Sequence, residues 1–155
     1  MAHPYSTQPR LEALLGSDLV LALLDRNHDG TADDGVYDGT LERACNRIDS
    51  RVGGLYVVPF AGVGDTPTPT PGTISDIADY ITAQMLFSVD NPDSADAKYW
   101  GGQADAELAK VLSGAYVLNA TKQDADATAA AGLKVLDHEN SYGLDDQGCD
   151  NLDRY

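Results

Sequence analysis

The run Asp25-Arg26-Asn27-His28-Asp29-Gly30-Thr31-Ala32-Asp33 carries the most definite chemistry in this sequence. Oxygen-bearing side chains stand at alternate positions, Asp25, Asn27 and Asp29, and a glycine follows. That is the opening of a calcium loop, D-x-[DN]-x-[DN]-G. Hard Ca2+ takes about six to eight oxygen ligands, and alternate side chains of a tight loop converge on one point. Gly30 permits the sharp turn, the Thr31 carbonyl would be the next ligand, and Asp33 falls where a residue binds through water. The pattern then lapses. Val36 stands where such a loop places a bidentate glutamate, and Asp38 comes two residues late. The candidate metal set is therefore Asp25, Asn27, Asp29, Thr31 and Asp33, with Ca2+ as the candidate ion. A metal-free turn laced by Asx side chains uses the same residues, and both readings stay open.

No other constellation suggests catalysis. His3, His28 and His138 are scattered, and each reads as a solvated residue. Acids are so frequent that spacing singles out no catalytic pair. The sequence holds no Walker loop, no nucleophile elbow and no H-E-x-x-H. The expectation is a protein that is not an enzyme, a small hydrolase with clustered acids being the weakest alternative. Cys45 and Cys149 match no zinc or redox spacing. Cys45 fits a core position. Tyr99-Trp100 reads as core packing, with an interface anchor as the alternative.

Composition narrows the class. A chain of 155 residues suits one modest core, and 43% hydrophobic residues argue against disorder along its length. No apolar run approaches the ~20 residues of a membrane span. The start, Met1 to Tyr5, lacks the features of a signal peptide, so a soluble protein made in a cytoplasm is expected. A net charge of −15 argues against sequence-reading DNA binding, because phosphate contacts need Lys and Arg. It leaves room for a surface that faces DNA and repels it, or for simple solubility.

The elements that would position these residues are mostly helical. Thr7 is a candidate cap for a helix through Glu12 and Leu15, with Pro9 in its first turn and Gly16 ending it. Ser17 is a candidate cap for a second helix, with Leu19, Leu23 and Leu24 inward. Leu41, Ala44, Cys45, Ile48, Val52 and Leu55 predict one buried stripe on a helix from Tyr37 to Leu55. Tyr56-Val57-Val58 reads as a short extended piece. The Pro67, Pro69 and Pro71 stretch reads as a surface loop. Thr73 or Ser75 would cap a helix reaching Val89, with Ile74, Ile77, Ala78, Ile81 and Met85 inward. After the Asp90-Asn91-Pro92-Asp93 turn, Ser94 would cap a last helical region, broken or bent at Gly101-Gly102. Ala104, Leu108, Val111 and Leu112 form its inner face, and Gly114 ends it. The fold class is mainly α: a small bundle of four to five helices with a long Pro-rich loop and an extended C-terminal arm. The expected division is 1–118, the helical domain, and 119–155, an arm ordered by a partner, with a further helix near 127–136 as an option.

The order of these features carries a resemblance. A Leu-rich helix leads into L-L-D-R-N-H-D-G-T-A-D, then A-C-N-R-I-D-S-R-V-G-G-L-Y, then V-V-P-F. I-S-D-I-A-D-Y-I-T-A-Q-M-L-F, K-Y-W and L-A-K-V-L-S-G-A-Y-V-L follow. The chain resembles the small head–tail connector proteins of Mu-like tailed phages over roughly 10–118. It departs at Gly53-Gly54-Leu55-Tyr56, where the family tends to keep an Arg before the Tyr, and at Gly101-Gly102. The resemblance implies an adaptor in the virion neck, assembled in the host cytoplasm. Its partners would be the portal protein, identical neighbours in a ring (commonly a dodecamer), and a stopper or tail-completion protein. Genome DNA would pass through without sequence-specific binding, and no membrane is involved. Tyr116, Val117, Leu118, Leu133, Val135, Leu136 and Tyr142 are the candidate portal- or neighbour-binding residues. A calcium-stabilised interaction module unrelated to virions is the alternative.

Overall fold

The computed structural model describes residues 5–60, 70–89 and 91–123. Among them are five helices: α1 (Gln8–Leu15), α2 (Ser17–Leu24), α3 (Val36–Val52), α4 (Gly72–Phe87) and α5 (Ala95–Leu112). The fold is a small, mainly α bundle. The chain divides into two compact units, Met1–Gln123 and Asp124–Tyr155, and every described residue lies in the first. Leu133, Val135, Leu136, Tyr142, the optional helix near 127–136 and most of the Pro-rich loop lie outside the described residues.

Helix α4 is the centre of the bundle. It packs against α5 and α3 on two sides and meets α1 and α2 as well. A helix surrounded this way needs small or apolar groups on several faces, not one stripe. Accordingly Ile74, Ile77, Ala78, Ile81, Ala83 and Leu86 are buried, together with the polar Ser75, Asp79 and Thr82. Each fully buried Ile contributes roughly 1.5–3 kcal/mol of apolar transfer. Helix α3 shows the expected single stripe: Leu41, Ala44, Cys45, Ile48 and Val52 are buried, and Tyr37 and Thr40 join them. Burial raises the pKa of the Cys45 thiol above its ordinary value.

Capping follows the sequence in one place and departs from it in others. The Ser94 hydroxyl accepts from the Ala97 N–H at 3.1 Å and starts α5. Thr7 sits at the N-cap of α1 without a side-chain cap bond. Gly16, not Ser17, is the N-cap of α2. Helix α4 begins at Gly72 behind Pro71, so neither Thr73 nor Ser75 caps it, and it ends at Phe87.

Several inward assignments are corrected. Helix α3 stops at Val52, with Gly53 as its C-cap, whose N–H makes the last helical bond to the Asp49 carbonyl at 2.8 Å. Leu55 then falls in the following turn and is exposed, as are Leu19 and Leu112. Val20 takes the inward place on α2 with Leu24. Met85 is partly buried and packs on the core. The expected break at Gly101-Gly102 is absent: α5 is continuous. A Cβ at Gly101 would lie 2.7 Å from the Gln84 side-chain nitrogen. The Gln84 side chain thus occupies the space beside Gly101, and any larger residue there would make it shift. Of the aromatic pair, Trp100 is half-buried and stacks on Tyr80 at 5.7 Å, whereas Tyr99 is exposed.

The extended piece acquires a partner. Tyr56 bridges Lys122 in antiparallel fashion, with Val57 N–H donating to Thr121 at 2.9 Å and Gln123 N–H to Leu55 at 3.0 Å. This pairing stitches the end of α3 to the segment that leaves α5.

Candidate functional site

Three groups of residues offer chemistry or contact. The first is the loop between α2 and α3. Helix α2 ends at Leu24, and Asp25 is the buried residue that turns the chain. Its two carboxylate oxygens accept from the N–H groups of Asp29 at 3.0 Å and Gly30 at 2.8 Å. Asn27 Oδ1 accepts from the Asp29 N–H at 2.9 Å. Asp29 Oδ1 accepts from both the N–H and the hydroxyl of Thr31, at 2.8 and 2.6 Å. These bonds hold the Asp29 carboxyl below its ordinary pKa. Asp33 accepts from the Arg26 N–H at 2.7 Å and the Asn27 amide at 2.8 Å. Gly30 adopts φ +88°, and His28 also has positive φ.

All five sequence-predicted loop residues are thus brought together: carboxylate or amide oxygens of Asp25, Asn27, Asp29 and Asp33 accept from donors of the loop itself, and the Thr31 hydroxyl is one of those donors. Among the described residues, no group of three or more His, Cys, Asp or Glu side chains is placed to hold a metal ion. The loop borders a small cavity of about 90 Å³ lined by Leu23, Asp25, His28, Leu86 and Val89 among others.

The second group was not foreseen from the sequence. Asp79 of α4 is buried and accepts from the Ser6 hydroxyl and from Arg10 Nε at 3.2 Å. Arg10 also reaches the exposed Asp76 at 2.7 Å. Desolvation raises the Asp79 pKa, and the Ser6 and Arg10 contacts oppose that rise. The neighbouring Tyr5 hydroxyl donates to Asp49 of α3 and accepts from the Phe60 N–H at 3.2 Å. The network ties the chain start to α3 and α4. Nothing local marks Asp79 as buried, since it sits in an ordinary I-A-D-Y helix pattern.

The third group lies at the C-terminal end of α5. Leu55, Tyr56, Val111, Leu112, Gly114 and Lys122 line a groove of about 200 Å³. Tyr116 folds back onto the last turns of α5: its N–H donates to the Lys110 carbonyl at 3.1 Å, and Lys110 Nζ lies 5.3 Å from its ring centre. Hydrogen bonds to Glu107 and Tyr116 raise the Lys110 pKa. Of the predicted contact residues, Val117 is 78% exposed, Tyr116 is exposed, and Leu118 is buried in the core. Leu55, Val57 and Leu112 add exposed apolar surface that the sequence reading had turned inward or left unassigned.

The sequence that builds this bundle matches a known family. The model of the family described as Bacteriophage Mu, Gp36 matches residues 5–136. The chain belongs to that family. The match covers the whole described bundle and runs on to Leu136. A member of the Mu Gp36 family is a phage protein of the structural or assembly class. No curated protein matches the chain. Among the described residues, no helix is long and apolar enough to cross a membrane.

Proposed function

We propose that this chain is a head–tail connector, an adaptor subunit joining the portal of a DNA-filled capsid to the stopper or tail-completion protein. The family match over residues 5–136 carries the reading. In it, identical copies close into a ring, a dodecamer, that stays in the virion neck. The work done is assembly, not catalysis. A cyclic ring uses heterologous contacts that terminate on closure and so avoid filaments. Tyr116 and Val117, exposed just past the end of α5, are the contact residues toward the portal or a neighbour, with Leu133, Val135, Leu136 and Tyr142 further along the chain. Leu118 supports them from within the core. The surplus of 25 acids over 10 basic residues would let the genome slide past without adhering.

Cryo-electron microscopy of assembled particles tests this. The expected result is a ring of copies directly beneath the portal. A neck accounted for entirely by other proteins, with this chain absent from the particle, would overturn it.

A further inference from the structure

Helix α3 (Val36–Val52) is electrically divided along its exposed side. At about 100° per residue, Asp38 and Glu42 fall on one edge of the exposed arc, and Arg43 and Arg47 on the other, about 140° away. Arg51 continues the basic edge at the same four-residue spacing. The exposed positions between the edges, Gly39, Asn46 and Ser50, are uncharged. The helix dipole accounts for an acid near the start and a base at the end. It does not account for Glu42 and Arg43, neighbours in mid-helix, standing on opposite edges.

This arrangement works against the isolated helix. Asp38/Glu42, Arg43/Arg47 and Arg47/Arg51 are like-charge pairs four residues apart, where opposite charges would stabilise. Among the described residues, Asp38, Glu42, Arg43 and Arg51 form no ion pair. Arg43 is held over its own helix by the Gly39 carbonyl at 3.1 Å and the Thr40 hydroxyl at 3.2 Å, so its charge is uncompensated. Arg47 reaches Gln84 at 3.0 Å and Asp105 at 3.4 Å. In a chain of net charge −15, an edge where Arg43 and Arg51 form no ion pair among the described residues is a local reversal of sign.

We infer that the Arg43–Arg47–Arg51 edge of α3 docks against the Asp38–Glu42 edge of a second copy of this chain. A surface with opposite signs at its two edges is complementary to a copy displaced sideways. A two-fold axis normal to that surface would instead bring like edges together. The charge pattern therefore fits heterologous, head-to-tail contact, the kind a ring repeats. The inference deepens the connector reading and rests on it.

Charge reversal tests it on the full chain. Asp38→Lys with Glu42→Lys makes both edges basic, and Arg43→Glu with Arg51→Glu makes both acidic. Arg47 is left alone because it bonds within the bundle, and unchanged helical circular dichroism checks folding. Both variants remain strongly net acidic, so overall charge cannot draw them together. By sedimentation velocity at low salt, each variant alone should be monomeric, and an equimolar mixture should form larger species that salt dissolves. A mixture no more associated than its components, or a single variant that associates as well as the mixture, overturns the inference. The neck density judges the connector reading separately. A ring whose α3 edges do not meet would remove this inference and leave that reading standing. Co-assembly in solution with no copy in the particle would retire the connector reading alone.

Discussion

Asp79 and Asp29 are the same residue in two environments, and their titrations are pushed in opposite directions. Asp79 is buried between α4 and the chain start, and desolvation raises its pKa despite Ser6 and Arg10. Asp29 lies open in the α2–α3 loop, and the hydrogen bonds from Thr31 lower its pKa. Both carboxylates collect donors. The difference is what solvent does for the charge. In the loop, water and loop donors together favour the anion. In the bundle, the loss of water outweighs two partners. A carboxylate can thus organise an exposed loop through geometry alone, whereas a buried one couples distant segments and carries an electrostatic cost.

The strongest way to break this comparison is Asp79→Ala. It removes the acceptor shared by Ser6 and Arg10 and should cost about 2–3 kcal/mol in urea unfolding. A loss near zero would mean the network ties nothing together. Asp25→Ala comes next. It deprives the Asp29 and Gly30 amides of their acceptor and should cost about 1 kcal/mol. Amide exchange should quicken at those two positions and stay unchanged in α4; a uniform change across the bundle would contradict a local role.

The pH dependence sharpens the contrast. Because the folded pKa of Asp79 is raised, its contribution is fully present below the ordinary carboxylate range and declines as pH rises through the folded value. The stability advantage of the wild type over Asp79→Asn should therefore shrink with rising pH; a widening gap would reverse the assignment. For Asp29, with a lowered folded pKa, the contribution is present above the unfolded pKa and is lost as pH falls through the folded one. Carboxyl titration by NMR should place the two midpoints on opposite sides of about 3.9. The smallest effect belongs to Asp29→Asn. The amide oxygen still accepts from Thr31, so the thermal melt should fall only slightly at neutral pH, by the small contribution of the charge, and a large drop would show that the charge rather than the geometry holds the loop.

How much of this was legible in the sequence follows from the range of each interaction. The α3 stripe was readable, because Leu41, Ala44, Cys45, Ile48 and Val52 encode their own periodicity. So was the cap at Ser94, a bond spanning three residues. The Asp25–Asp33 loop was readable as a unit, since its donors and acceptors all fall within that short run. The Asp79 network was not, because Ser6 and Arg10 lie about seventy positions away. The apolar surface near the end of α5 was less legible: Leu55 and Leu112 continue the apolar spacing of α3 and α5, yet both are exposed, because the described bundle does not cover them.

The sequence by itself determined the helical class, the family and the local devices, because periodicity, capping and turn chemistry act between residues close in the chain. Only the tertiary structure decided which faces meet. It kept α5 continuous through Gly101, where the Gln84 side chain of α4 lies against the glycine. It buried Asp79, and it joined Tyr56 to Lys122 across more than half the described chain. Those outcomes depend on partners that no local pattern names, because a residue's burial is a property of what packs against it.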